Sequence, residues 1–348
     1  MAAELARRVL YFLRIGARLS WPECVLAFLA PLAFLGCANA LPWLMWNAKC
    51  QLGVFAPLVL LPAMLTGHMA YVDIGWPMGL VVLGVNGLCF APGLPTRRWL
   101  MGGCLILHGG RMLLGALVLF YPYRWAEDLP RYRYAKHRYL TADAMPPSLW
   151  RLKMLHDLLQ QAAANAAVLA CPVLLCCFDE APQVHPLEWA GYALWLAAWV
   201  WESAADGQKQ LFTQAVHGAE KKSEAVLGHP PYAGWKYCMW TLSRHPNYFG
   251  EWTAWQGLIL ASLPSLARHP APPVVKCGLG LLLWALSRFL YDCLLFWTGA
   301  EPAEHFSAKK RRAYRDYQQS TRVFWPVEIP FFDHGRRAGW PATTHASD

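Results

Sequence analysis

The sequence predicts an all-α membrane protein, a polytopic bundle of about eight transmembrane helices, and its composition supplies the first reasons. Of its 348 residues only 15% are charged and 56% are hydrophobic, whereas ordinary soluble domains carry about 25% charged residues. Nineteen tryptophans accompany a formal net charge of +9, which is typical of interface-anchoring aromatic side chains and basic loops. This composition excludes a disordered chain, because disorder requires low hydrophobicity.

Eight apolar runs approach the roughly 17–25 residues that a transmembrane helix needs. The third run is short and begins beside Asp73, Gly75 and Pro77, so a re-entrant or hairpinned segment is the alternative at that position. The runs lie near residues 24–46, 51–72, 76–92, 98–121, 155–178, 186–205, 247–266 and 273–298.

The positions of the basic residues predict the orientation of these spans. If the N-terminus is cytoplasmic, 24 of the 31 Lys and Arg residues fall in cytoplasmic segments and 5 in the opposite links. This asymmetry favours eight spans with both termini in the cytoplasm. It also explains the basic excess through topology and anionic lipid rather than through nucleic acid. The charge rule fits both the endoplasmic reticulum of a eukaryote and the inner membrane of a bacterium.

These boundaries predict a cytoplasmic amphipathic segment at 1–23, one transmembrane domain at 24–326 and a C-terminal tail at 327–348. Residues 1–40 also resemble a secretory signal that ends in a small-x-small pattern at Ala38-Asn39-Ala40. The apolar run is long and seven more follow it, so an uncleaved first span is favoured.

The segment that enters the seventh run carries the sharpest polar pattern, Ser243-Arg244-His245-Pro246-Asn247-Tyr248-Phe249-Gly250-Glu251. Pro246 suits the first turn of a helix, where unpaired amides and the helix dipole favour an anion. Arg244 beside them predicts a phosphate site. Asn247 and Glu251 are four residues apart and share one helix face. The alternative is a helix start anchored at the lipid headgroups, with Glu251 paired internally.

A second polar cluster ends the sixth run, where Glu202, Asp206 and Lys209 share one helical face. Two carboxylates four residues apart repel each other, so a cation or a ligand must compensate them, unless the helix end is solvated. Arg288 and Asp292 form a similar pair in the eighth run, and a structural ion pair is favoured there.

A basic helix is expected after residue 304, with Lys310, Tyr314 and Tyr317 on one stripe and Arg311 and Arg315 on another. Such a helix either lies on anionic lipid or folds over a phosphate-bearing cofactor. The eleven cysteines contain no CxxC pair, so no metal site is expected.

Several motifs in order resemble the steroid 5α-reductase superfamily, and in particular its bacterial, protist and plant branch. The resemblance covers about residues 70–326 and is densest in the last 130. Besides 243–251, the motifs are Asp73-x-x-Trp76, Glu127-Asp128-x-x-Arg131-Tyr132, Glu202-x-x-x-Asp206-x-Gln208-Lys209-x-x-Phe212, Trp255-x-Gly257, Gly299-x-x-Pro302-x-Glu304 and Tyr314-x-x-Tyr317-x-x-x-Thr321-x-x-Phe324-x-Pro326.

The resemblance implies that NADPH binds in a cytoplasm-facing cavity formed by a C-terminal half at about 186–326. It also implies reduction of an activated C=C bond in a lipid-like substrate such as a steroid or sterol enone. The cofactor-binding residues carried over are Asp206, Lys209, Arg244, Asn247, Tyr248, Glu251, Tyr314 and Tyr317, with Arg311 and Arg312 for the phosphates. No motif transfers the catalytic acid. Tyr71 and Asp73, a phenol and a carboxyl at a predicted cytoplasmic span end, are the hypothesis for that role.

Two departures from the pattern leave alternatives open. Thr241 occupies a position that is usually Arg in this branch, and the stretch 213–240 is long and irregular, with Gly228, Pro230, Pro231 and Gly234. One alternative is an isoprenylcysteine- or phospholipid-type methyltransferase that uses S-adenosylmethionine and shares the Arg-His-Pro-x-Tyr helix start. The other is a non-catalytic lipid-binding membrane protein with the same fold.

Overall fold

A computed structural model describes residues 20–120, 128–141, 146–217 and 224–327, and these ranges contain helices and no β-strand. The all-α prediction is therefore confirmed for the described chain. Residues 1–19 of the predicted N-terminal segment, residues 328–348 of the tail, and Glu127 lie outside the described residues. The chain divides into two compact units. Among the described residues, the first comprises 196–217, 224–254 and 288–327, and the second comprises 20–120, 128–141, 146–195 and 255–287.

The described residues form fourteen α-helices, several of which are extended by 3-10 or π turns. In chain order they are α1 (Trp21–Leu29), α2 (Leu41–Phe55), α3 (Leu61–Thr66), α4 (Val72–Phe90), α5 (Pro95–Phe120), α6 (Pro130–Thr141), α7 (Trp150–Ala163), α8 (Ala170–Cys177), α9 (Pro186–Ala215), α10 (Cys238–Leu242), α11 (Pro246–Arg268), α12 (Pro273–Asp292), α13 (Ala300–Lys310) and α14 (Arg312–Ser320).

Five helical segments among the described residues are long and apolar enough to cross a membrane, which supports an integral membrane protein. A sixth apolar stretch, Trp21–Gly36, is shorter. The five segments are Ala38–Thr66, Val72–Phe90, Pro95–Val118, Pro147–Cys177 and Pro273–Lys310.

The first two apolar runs divide at a different place from the one the sequence predicts. The expected link near Lys49 is helical, and the chain turns instead at Cys37, whose φ of −104° and ψ of 59° are not helical. Pro42 favours a helix start just after this turn, because its missing N–H lies in the first helical turn. The segment Ala38–Thr66 ends at Gly67, whose φ of +79° is the left-handed conformation that commonly stops a helix.

Buried amide side chains connect the helices of the second unit. Asn47, Gln51, Asn86 and Asn165 are each at most 3% exposed. The Gln51 side chain donates to the Gly79 carbonyl at 2.9 Å, and Asn47 Oδ1 accepts from Asn86 at 3.2 Å. Asn165 donates to the Trp76 carbonyl at 3.2 Å. Polar contacts of this kind hold helices together where lipid provides no hydrophobic driving force.

An ion-pair network ties the ends of other helices in the second unit. Arg97 at the start of α5 is fully buried, and its Nε lies 2.7 Å from Oε2 of the equally buried Glu188. Arg268 contacts both Glu188, at 2.8 Å, and Asp179. Two guanidinium groups therefore compensate two carboxylates.

Candidate functional site

The polar segment 243–251 of the first unit is held against the chain that follows α14. The Arg244 amide donates to the Arg322 carbonyl at 2.7 Å, and the Ser243 hydroxyl lies 3.2 Å and 2.9 Å from the Val323 and Phe324 carbonyls. Extended residues before a helix leave their backbone groups unpaired. Here the chain after α14 supplies the partners, and so fixes the start of α11.

The Arg244 side chain is almost completely buried, at 1% exposure, and its donors are occupied by protein. Its Nε and NH2 donate to the two oxygens of Glu304 at 2.8 and 3.2 Å, while NH1 donates to the Gln318 and Thr321 carbonyls. This bidentate geometry is the strong form of an Arg–carboxylate contact. Arg244 therefore holds the site together here, whereas its predicted phosphate contact stays a prediction.

Glu304 is the centre of this network, and it is fully buried. Besides Arg244, it accepts from Gln318 at 2.7 Å and lies 2.8 Å from His245 Nε2. Burial lowers the pKa of His245 more than the neighbouring Glu304 carboxylate raises it. Because the Glu304 carboxylate can only accept, His245 Nε2 is the donor in this contact. Its ring stacks on Tyr248, with 4.9 Å between ring centroids and 9° between the planes.

Asn247 lies in the first turn of α11 and joins the cluster at the end of α9. Its Nδ2 donates to Asp206 Oδ1 at 3.1 Å. Its own Oδ1 is buried and accepts no hydrogen bond from the described protein. A buried amide oxygen without a donor is costly, so this atom can accept a hydrogen bond from a ligand.

Close packing of α11 on α9 brings the remaining carboxylates of this cluster into the interior. Glu202 and Glu251 are each 5% exposed. A side chain at Gly250 would place its Cβ 2.7 Å from Glu202 Cβ, so the helices approach this closely only with glycine there. The structure thus brings together Asp206 and Asn247, two residues that the resemblance assigned to one cofactor site.

The cationic group of Lys209 lies 5.8 Å from the centroid of the Trp240 ring. The neighbouring Gln208 accepts from the Met239 amide at 3.2 Å, and Trp240 donates to the Ala205 carbonyl at 3.0 Å. These contacts seat α10 beside the end of α9. Thr241, at the position that is usually Arg in the resembled branch, donates its hydroxyl to the Cys238 carbonyl within α10 at 2.6 Å.

The irregular stretch before α10 packs against Tyr317. Gly228 has a φ of +84°, and a Cβ there would lie 2.6 Å from the Tyr317 hydroxyl. That hydroxyl donates to the Trp240 carbonyl. Burial raises the pKa of both Tyr314 and Tyr317, so both remain phenols. The irregularity of this stretch therefore reflects close packing beside the predicted site.

The predicted phosphate ligands Arg311, between α13 and α14, and Arg312, the first residue of α14, differ in what they contact. Arg311 donates to the Ala225 carbonyl at 3.0 Å, and Arg315 donates to the Ala308 carbonyl at 2.9 Å. Arg312 and Lys310 are exposed. In the structure as it stands, Arg312 is thus the better placed of the two predicted residues to meet an anion.

Tyr71 and Asp73, the predicted acid, lie in the second unit. Asp73 Oδ1 accepts from the Tyr132 hydroxyl and pairs with Arg131. Asp128 accepts from the Met69 and Ala70 amides, both at 2.9 Å. The two N-terminal motifs therefore meet around one turn, although 59 residues separate Asp73 from Tyr132. Burial raises the pKa of Tyr132 well above its usual value.

No role for His245, Gln318 or Tyr132 was predicted from the sequence. Each lies in or beside a motif that the resemblance used, and that position was the available signal. Glu304 closed a motif but was not proposed as a site residue. The pair Arg288–Asp292 is present, with 3.8 Å between the charged atoms.

Comparison with known proteins identifies a family through one match. Residues 60–321 match the family described as "Protein of unknown function (DUF1295)". No curated protein and no solved structure matches the chain. The match begins before Tyr71 and ends at Thr321, so it includes every residue discussed above from Asp73 to Tyr317. Because it covers well over half of the sequence, the chain belongs to the DUF1295 family.

Proposed function

We propose that this protein is a membrane-embedded reductase of the steroid 5α-reductase superfamily. It would use NADPH to saturate an activated C=C bond in a lipid such as a steroid, a sterol or another enone. The observation that carries the proposal is the buried Oδ1 of Asn247, which has no hydrogen-bond donor among the described residues. It is held beside Asp206 at the start of α11. A buried acceptor without a donor fits a ligand with an amide N–H, and the nicotinamide carboxamide has one.

The other residues of the first unit fit the remaining parts of the dinucleotide. Lys209 and Arg312 are exposed cations that suit its phosphates. Tyr248 and Tyr314 offer ring surface, and the His245–Glu304 contact fixes the Tyr248 stack from behind. When bound, NADPH would supply a hydride to the substrate. The chain must then stabilise negative charge on the substrate oxygen and provide a proton.

Tyr71 and Asp73 remain our candidates for stabilising the substrate oxygen and providing the proton, and Tyr132 joins them. The Tyr132 hydroxyl donates to Asp73 Oδ1, which fixes the phenol, and Arg131 compensates the carboxylate. A phenol whose pKa is raised keeps its proton until a stronger acceptor develops. The charge on an enone oxygen during reduction is such an acceptor.

We also propose that the chain crosses the membrane eight times with both termini in the cytoplasm. The remaining three spans would be Trp21–Gly36, α9 and α11, of which α9 and α11 coincide with predicted runs. The strong bias of basic residues toward one side supports this orientation.

The test is binding to the purified full chain, titrated with NADPH and separately with S-adenosylmethionine. Asn247→Ala should weaken NADPH binding about tenfold, because one hydrogen bond to a desolvated group contributes roughly 1.4 kcal/mol. Gln214→Ala removes an exposed amide from α9 and should leave the affinity unchanged.

NADPH consumption is then measured against a panel of steroid and lipid enones. Binding of S-adenosylmethionine but not NADPH would instead support the methyltransferase. NADPH binding without turnover of any enone would support a non-catalytic protein.

Asp73→Asn tests the proposed acid separately. Turnover should fall about 10²-fold or more, the usual contribution of a positioned acid or base, while NADPH affinity stays constant. Asparagine retains an oxygen that can accept from Tyr132, so the turn should persist. Glu180→Gln, an exposed change in the same unit, is the control. Full turnover by Asp73→Asn would remove Asp73 from the mechanism.

A further inference from the structure

An aromatic groove lies in the second unit, away in sequence from the proposed catalytic and cofactor-binding residues. It is an open groove with a volume of about 500 Å³, lined by Trp43, Trp46, Phe90 and Phe178, with Pro42 and Pro92 beside them. That volume is within the range of small-molecule sites, roughly 300–1,000 Å³. No charged side chain lines it in the part of the chain that the structure describes. Its occupant should therefore be neutral.

The groove lies where three candidate membrane segments have an end. Ala38–Thr66 begins there, while Val72–Phe90 and Pro147–Cys177 finish there. Segments that alternate in direction place these three ends on one side of the bilayer, near the boundary of headgroups and hydrocarbon. A lipid can therefore enter the groove from the membrane, with its polar end toward the exposed Asn39 at the rim.

The walls of the groove are fixed before any ligand binds. The Trp43 indole N–H donates to the Asn86 backbone carbonyl at 3.0 Å, and the Trp46 indole N–H donates to the Asn86 side-chain oxygen at 3.2 Å. Trp43 meets Phe178 edge to face with ring centroids 5.6 Å apart, and Trp46 meets Phe90 in the same way at 5.9 Å. Since the indole donors are used, these rings offer a ligand only their apolar surfaces.

We propose that this groove is a binding site for a flat, neutral polycyclic lipid of the sterol type, taken from the bilayer. Preformed ring surfaces suit a rigid flat skeleton, which loses little conformational entropy on binding. A flexible acyl chain would lose more. The proposal is independent of the reductase activity, because the groove shares no residue with the proposed catalytic and cofactor-binding residues.

The test uses the full chain in phosphatidylcholine nanodiscs with a diazirine-bearing cholesterol as the probe. Its adducts should map to peptides containing residues 39–46, 90–92 or 178, and unlabelled cholesterol should compete for them. Trp46→Leu combined with Phe90→Leu should reduce this labelling about tenfold, since each aromatic contact contributes roughly 0.5–1.5 kcal/mol. Trp99→Leu, at a more exposed tryptophan outside the groove, should not reduce it.

A diazirine-bearing phosphatidylcholine distinguishes a site from the lipid annulus. If it labels the same peptides as strongly as the sterol probe, or if cholesterol fails to compete in the unmodified chain, the proposal is overturned. The competition needs no variant, so it decides the question even if the double variant does not fold.

Discussion

Replacing Glu304 by alanine should destabilise the first unit by about 3–5 kcal/mol, the usual cost of leaving one member of a buried ion pair uncompensated. The carboxylate is fully buried and accepts from Arg244, His245 and Gln318. Without it, the Arg244 guanidinium keeps two carbonyl partners but loses its counter-charge. Thermal unfolding in detergent measures the loss, and NADPH binding should decline with it.

Two further variants identify the cause of that loss. Glu304→Gln keeps hydrogen-bonding capacity without the charge, so its stability should lie between that of Glu304→Ala and that of the natural protein. Asp316→Asn changes an exposed acid on α14 and should leave the unfolding temperature unchanged. If Glu304→Ala is as stable as the natural protein, the ion pair with Arg244 contributes little to stability.

Arg97→Leu should have a comparable effect on the second unit, again about 3–5 kcal/mol. Arg97 is fully buried and contacts Glu188, which is also fully buried, at 2.7 Å. Its removal leaves Glu188 with Arg268, which is one-third exposed. The same unfolding measurement applies, with Arg151→Met as an exposed control.

A double variant makes this second prediction sharper. Arg97→Leu with Glu188→Leu removes both charges, and a buried pair replaced by apolar side chains is often neutral in stability. The double variant should therefore be more stable than Arg97→Leu alone. If it is less stable, backbone contacts of Arg97, such as those to Ala181 and Gln183, carry the stability instead.

Much of the helical architecture follows from the apolar runs, because a bilayer requires helices of a set length. The break near Cys37 could not be found this way, since residues on both sides of it are apolar. Pro42 was the local signal, but proline also starts helices that continue from an earlier segment. Lys49 misled the prediction, because an exposed lysine inside a helix can extend its ammonium to the interface.

The candidate site was predictable in part, for reasons that differ between residues. The approach of Asn247 to Asp206 follows from motif positions at the ends of two helices. The ion pair between Arg244 and Glu304 could not be predicted in this way. An arginine indicates an anionic partner, but it does not show whether that partner is a ligand or a carboxylate 60 residues later in the chain. The Asp73–Tyr132 contact crosses 59 residues and depends on tertiary packing.

The Arg244–Glu304 contact also constrains the order in which the protein assembles during synthesis. Sixty residues separate the partners, so a ribosome adding 5–20 residues per second makes Glu304 about 3–12 s after Arg244. Until then the arginine must be hydrated or held by the insertion machinery. The start of α11 can therefore settle only after α13 has been made, so this part of the unit must assemble seconds after α11 itself is synthesised.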